Sequence, residues 1–142
     1  MVWRMAALPV VRLLRALYNC VMMYVSAVTP FASKSESAGV TVTDGQYSCR
    51  AFSYPCDAIE GEVVTEPLQL FDEAMCLMFE DAEPRIESTG DVDFRHFGVA
   101  KVLDVENDLL SVGELIFQVR ELPRGLAVGD AVEFECVRID LR

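Results

Sequence analysis

From Val40 onward, turn-forming residues recur about every ten positions, and the apolar residues between them mostly alternate with polar ones. A helix of ordinary length does not fit between breaks this close, and alternation is the period of a strand with one buried face. The pattern constrains this part of the chain to short strands joined by tight turns. Val40-Thr41-Val42-Thr43 alternates, and Asp44-Gly45 is a strong hairpin signal. Gln46 to Tyr54 continues in extended fashion, with Tyr47, Cys49 and Ala51 on one side and Phe52 and Tyr54 on the other.

Glu62 to Thr65 and Pro67 to Phe71 read as short strands. Ala74 to Phe79 is an unbroken apolar run between Asp72-Glu73 and Glu80-Asp81, the pattern of a strand buried on both faces. Residues 66–80 also support a helix, with Thr65 as its cap, Pro67 in its first turn and Leu68, Phe71, Met75 and Met78 as its apolar stripe. The strand reading is preferred, because the segment is short and interrupted by charge.

Ala82 to Asp91, with Pro84 and Gly90, reads as loop. Phe97, Val99, Leu103 and Val105 alternate up to a turn at Glu106-Asn107-Asp108, and the chain returns through Leu109 to Val112 and Leu115 to Val119, with a bulge or bend at Gly113. Pro123, Gly125 and Gly129 precede a long closing strand, Ala131 to Leu141. Its apolar phase slips from Val132, Phe134 and Cys136 to Val137, Ile139 and Leu141, as a bulge near Cys136 would produce. The expected fold is all-β or mainly β: a small OB- or SH3-like barrel of about five to seven strands.

The 142 residues suffice for one domain with a sizeable core. Charge divides them. Through Gly39, four cations (Arg4, Arg12, Arg15, Lys34) face the single acid Glu36, a net +3; from Val40 onward eight cations face 22 acids, a net −14. The expected organisation is therefore an apolar basic leader at 1–33, a polar linker at 34–39 and an acidic domain at 40–142. The leader supports three readings. It could be a secretory signal cleaved near Ala27, at Val25-Ser26-Ala27, or an amphipathic surface helix carrying the three arginines. The third reading is a non-native extension ahead of a start at Met22 or Met23. Membrane contact is expected only through residues 1–33, if they are retained.

The cysteines follow the leader. Removal through Ala27 would leave Cys49, Cys56, Cys76 and Cys136 as an even set able to form disulfides in an export compartment. In a cytoplasmic protein, the expected location, they are small buried hydrophobes. No C-x-x-C occurs, so a zinc site or a redox pair has no support.

His96 is the only histidine, which rules out a metal site built from paired histidines. As a general base it would need Asp91 or Asp93 as orienter and Cys49, Cys56 or a serine as nucleophile; the simpler reading is a strand-edge or loop histidine among Phe94 and Phe97. Neither a phosphate-cradling G-x-x-x-x-G-K-[ST] nor a G-x-G-x-x-G is present, and no cofactor is expected. Asp104-Val105-Glu106-Asn107-Asp108 begins like a calcium loop, but Leu109 and Leu115 stand where glycine and a bidentate glutamate are required. A solvated turn accounts for it better.

These features lead to a non-enzymatic module that binds a protein through an acidic surface, in one form an inhibitor or immunity-type protein that neutralises a basic partner. The charge of the body disfavours nucleic acid. The alternative from a second class is an OB-like oligonucleotide-binding protein, and from a third an enzyme using His96. The expected binding surface comprises Arg50, Phe52, Tyr54, Arg95 and His96, aromatic and cationic groups that stack on bases or anchor protein contacts.

Overall fold

The computed structural model describes residues 22–78, 80–89 and 94–142, and these form twelve strands and no helix. In chain order they are β1 (Met23–Pro30), β2 (Ala38–Thr43), β3 (Ser48–Ser53), β4 (Val63–Val64), β5 (Leu68–Phe71) and β6 (Ala74–Leu77). They continue as β7 (Arg85–Ser88), β8 (His96–Asp104), β9 (Leu109–Val112), β10 (Leu115–Gln118), β11 (Ala131–Cys136) and β12 (Arg138–Asp140). All belong to one mixed sheet in the order β4-β1-β2-β3-β12-β5-β10-β9-β8-β11-β6, with β7 beside β8. Only the β12–β3 and β10–β5 pairs are parallel.

The ladder does not close, so the architecture is an open twelve-stranded sheet and not the expected barrel of five to seven strands. The end of the chain shows why. The phase slip near Cys136 is a break at Val137 and not a bulge: β11 pairs with β8 and β6, whereas β12 crosses to β5 and β3. One long strand thereby becomes two short ones with different neighbours.

Residues 23–30, read from sequence as the end of a leader, form β1 and pair with β2 from Tyr24 opposite Thr43 to Pro30 opposite Ala38, with an irregularity at Ser26. Met23, Tyr24 and Val25 are all buried, so this end of the strand shows no alternation and looks like an apolar leader. The sheet therefore starts before Val40, and residues 34–39 are the β1–β2 connection and the opening of β2. The readings placed on residues 1–21, including the surface helix, lie outside the described residues.

The strand reading of 66–80 holds for β5 and β6. Asp72, at φ 57°, makes the bend that separates them. β6 is not buried on both faces as expected. It ends the sheet, with Ala74, Cys76 and Leu77 exposed. A further strand, β7, lies in the segment read as loop, paired antiparallel to β8. Its close approach requires Gly98, where a Cβ would lie 2.0 Å from the Arg85 carbonyl oxygen.

Elsewhere alternation sends one face inward. Val40 and Val42 of β2, Cys49 and Ala51 of β3, Leu68 and Leu70 of β5, and Val132, Phe134 and Cys136 of β11 join one core, where the Phe117 and Phe134 rings lie 6.3 Å apart. The outward residues of the same strands build the surface described next.

Candidate binding surface

On β3, inward Cys49, Ala51 and Ser53 leave Arg50 and Phe52 pointing out; on β12, inward Ile139 leaves Arg138 and Asp140 out; on β5, inward Leu70 leaves Phe71 out. Register aligns them, with Asp140 opposite Phe52 and Arg138 opposite Phe71. The Arg138 guanidinium is sandwiched between two rings, 4.6 Å from the Phe71 centroid and 5.0 Å from that of Phe52. Asp140 fixes its plane, accepting from Nε at 2.6 Å and from Nη2 at 3.1 Å.

The row continues past Phe52. Phe31 stacks on it at 5.8 Å and 26°, and Phe94 stands edge-on to both rings at 5.8 Å. Arg50 lies over Phe94 at 5.1 Å and across Gly39, where a Cβ would sit 2.7 Å from its Nε. Phe71, Arg138, Phe52, Phe31, Phe94 and Arg50 thus form one continuous stack on the outer surface. Two of its phenyls are half exposed, Phe31 at 50% and Phe71 at 51%. A groove of about 440 Å³ runs beside it, lined by Phe52, Arg138 and Asp140 together with Tyr54, Pro55 and Asp57. Tyr54 is 63% exposed there.

Of the residues expected from sequence, Arg50 and Phe52 lie within the stack and Tyr54 flanks its groove. Arg95 is exposed and lines a separate, smaller pocket with Asp72 and Thr89. His96 is buried, and it reaches the surface only at the wall of that same pocket, beside Cys136. It is 2% exposed, and its Nε2 accepts from the Arg50 backbone N–H at 3.1 Å while Nδ1 lies 2.8 Å from the Phe94 carbonyl oxygen. Arg50 can only donate and Phe94 can only accept, so the ring is neutral with its proton on Nδ1. The neighbouring edge of β3 meets β12 only at Phe52, so the imidazole supplies Arg50 with the acceptor that a strand would otherwise provide. This joins β8 to β3 where the ladder stays open. Nitrogen NMR should find the Nδ1-protonated tautomer, and His96→Ala should lower stability by about 2 kcal/mol by stripping a buried N–H of its acceptor.

Phe31, Phe71 and Arg138 were absent from the expected surface. The outward phase of Arg138 beside Ile139 was a usable signal. Nothing local announces that Phe71 packs on Arg138 or that Phe31 and Phe94 pack on Phe52.

All four described cysteines are free thiols; Cys49 and Cys136 are buried, Cys56 is partly buried and Cys76 is exposed. Burial pushes the Cys136 thiol up to about 11, and burial together with nearby Cys136 raises Cys49 as well. Iodoacetamide at neutral pH should therefore label Cys76 first in the native protein and spare Cys49 and Cys136 until it unfolds; mass spectrometry of the labelled peptides reads the order. At the calcium-like turn, the Asn107 side chain and backbone amide donate to the Asp104 carboxylate at 2.7 and 3.2 Å, holding it below its usual range. Among the described residues, no three His, Cys, Asp or Glu side chains gather as a metal site. The chain matches no protein-family model, no curated protein and no solved structure, so this surface must be read from its own geometry.

Proposed function

We propose that this protein is a non-enzymatic binding module that presents the Phe/Arg face to a protein partner, with its acidic body favouring a basic one. The observation that carries the reading is the stack itself, its side chains in mutual contact along its length and open at Phe31 and Phe71. Aromatic rings and arginine dominate the energetic centres of protein interfaces. Side chains already held by one another lose little freedom on binding. A net −14 from Val40 onward speeds encounter with a positive surface. An inhibitor of a basic protein, such as a nuclease, is one form of this reading.

The committed ring nitrogens of His96 support the non-enzymatic side of it. Four free thiols favour the cytoplasm, and cleavage after Ala27 would cut through β1. The oligonucleotide-binding alternative draws on the same open phenyl faces, where bases could stack, against the charge of the body.

Phe71→Ser tests the reading, because the ring is half exposed and its removal spares the core. The melting temperature should stay within about 2 °C of the parent, as for most surface substitutions, while association with the native partner in host extract falls at least about tenfold. Unchanged association would overturn the assignment. Association abolished by nuclease treatment would move it to the oligonucleotide class.

A further inference from the structure

We infer that β6 is a docking edge, where an extended basic segment of a partner protein adds as a further strand. Met78 N–H donates to the Ala131 carbonyl at 3.0 Å, and the register continues with Cys76 opposite Glu133 and Ala74 opposite Glu135. In an antiparallel pair, hydrogen-bonded and non-bonded positions alternate. Ala74, Cys76 and Met78 therefore face β11, and the N–H and C=O groups of Met75 and Leu77 point away from the sheet. Among the described residues no backbone group pairs with them, and the Leu77 carbonyl has only the Cys76 thiol, at 3.7 Å. The strand sequence is Ala-Met-Cys-Leu, without the lysine, proline or inward charge that usually blunts an edge.

Charge selects the occupant. Outward Glu133 and Glu135 lie beside Cys76 and Ala74, and Asp72 and Glu80 stand beyond the two ends of β6. None of these four carboxylates has an ion-pair partner among the described residues, whereas Asp81 is already paired with Lys101. Glu133 and Glu135 also border a hollow of about 400 Å³ lined by Phe97 and by Arg85, whose charge is already paired with Glu87 at 3.0 Å, and the hollow can receive the aliphatic stem of a lysine or arginine. A second copy of the chain would set these carboxylates against their own equivalents, so a strand bearing alternate cations is the complementary occupant. This edge stands on observations separate from the Phe/Arg face, and Phe71→Ser should leave it intact.

The test is fluorescence anisotropy in reductant with a labelled peptide alternating lysine and valine, against a glutamate and valine control. Only the lysine peptide should bind, more weakly as salt rises, and the amides of Met75 and Leu77 should become protected from hydrogen exchange. Leu77→Pro removes an outward N–H while sparing every native ladder bond, and should weaken binding about tenfold or more. Equal binding to Leu77→Pro, equal binding of the glutamate peptide, or unchanged exchange at Met75 and Leu77 would each overturn the inference. If Leu77→Pro loosens β6 from β11, seen as lost protection at Glu133 and Glu135, the exchange footprint on the parent protein decides.

Discussion

A chain shortened to begin at Val28 is expected not to fold, whereas one beginning at Met22 keeps all twelve strands. The shorter chain loses buried Met23, Tyr24 and Val25, side chains that stabilise by about 1.5–3 kcal/mol each. It also loses the hydrogen bonds from Val25 N–H to the Glu62 carbonyl at 2.8 Å and from Gly61 N–H to the Val25 carbonyl at 2.7 Å. β4, which pairs only with Met23 and Tyr24, is then left without a neighbour. Half of β2 becomes an open edge, which uncovers the core residue Val42. Together these losses are comparable with the roughly 5–15 kcal/mol that stabilises a whole domain. Circular dichroism melts of the two chains separate the outcomes. A cooperative transition in the chain beginning at Val28, at the temperature of the longer one, would show that β1 is dispensable and restore the reading of cleavage after Ala27.

The second large effect centres on Asp44, a 5% exposed carboxylate that ties two hairpins together. Its Oδ1 accepts from the backbone N–H of Gln46 at 2.8 Å and of Tyr47 at 2.7 Å, closing the β2–β3 turn. Its Oδ2 accepts from Glu114 N–H at 2.7 Å, in the β9–β10 turn. Hydrogen bonds to a charged acceptor contribute about 1.5–3 kcal/mol each, so Asp44→Ala should cost roughly 3 kcal/mol or more. Asp44→Asn separates the two roles. Its carbonyl can still close the first turn, but its NH2 faces the Glu114 donor, so the link between hairpins should fail alone. Urea melts give the two losses, and exchange at Glu114 gives the location. If Asp44→Asn loosened the Gln46 and Tyr47 amides while Glu114 stayed protected, the assignment of the two oxygens would be reversed.

Where structure follows from neighbours in the chain, it was legible. The β2–β3 hairpin is written in its valines and in Asp44-Gly45, and the β8–β9–β10 meander in its turns at Asn107 and Gly113, but not in the phase read from Phe97 to Val105. The register shifts at Leu103, so Ala100 and Val102 are buried while Leu103 and Val105 are exposed. Local patterns failed where burial or pairing is set from afar. β1 is buried on both faces at Met23–Val25 and so does not alternate there, β7 reads Arg-Ile-Glu-Ser and holds by lying along β8, and β12 is cut from β11 by partners remote in sequence. The same divide runs through the surface. Arg50 and Phe52 share a strand face that alternation exposes, whereas Arg138 and Phe71 reach them only because β12 inserts between β3 and β5. His96 drew attention as the only imidazole, but its place between Arg50 and Phe94 depends on the curl of the whole sheet.

If the Phe/Arg face meets a protein, Phe71 lies in the contact. A photo-crosslinking phenylalanine analogue at position 71, compared with one at Val128, measures this in the native host. Val128 is 67% exposed and apolar but lies outside the stack, so it controls for stickiness. The account predicts one discrete, nuclease-resistant protein adduct from position 71 and none at that mass from position 128. No adduct from 71, or the same adducts from both positions, would contradict it.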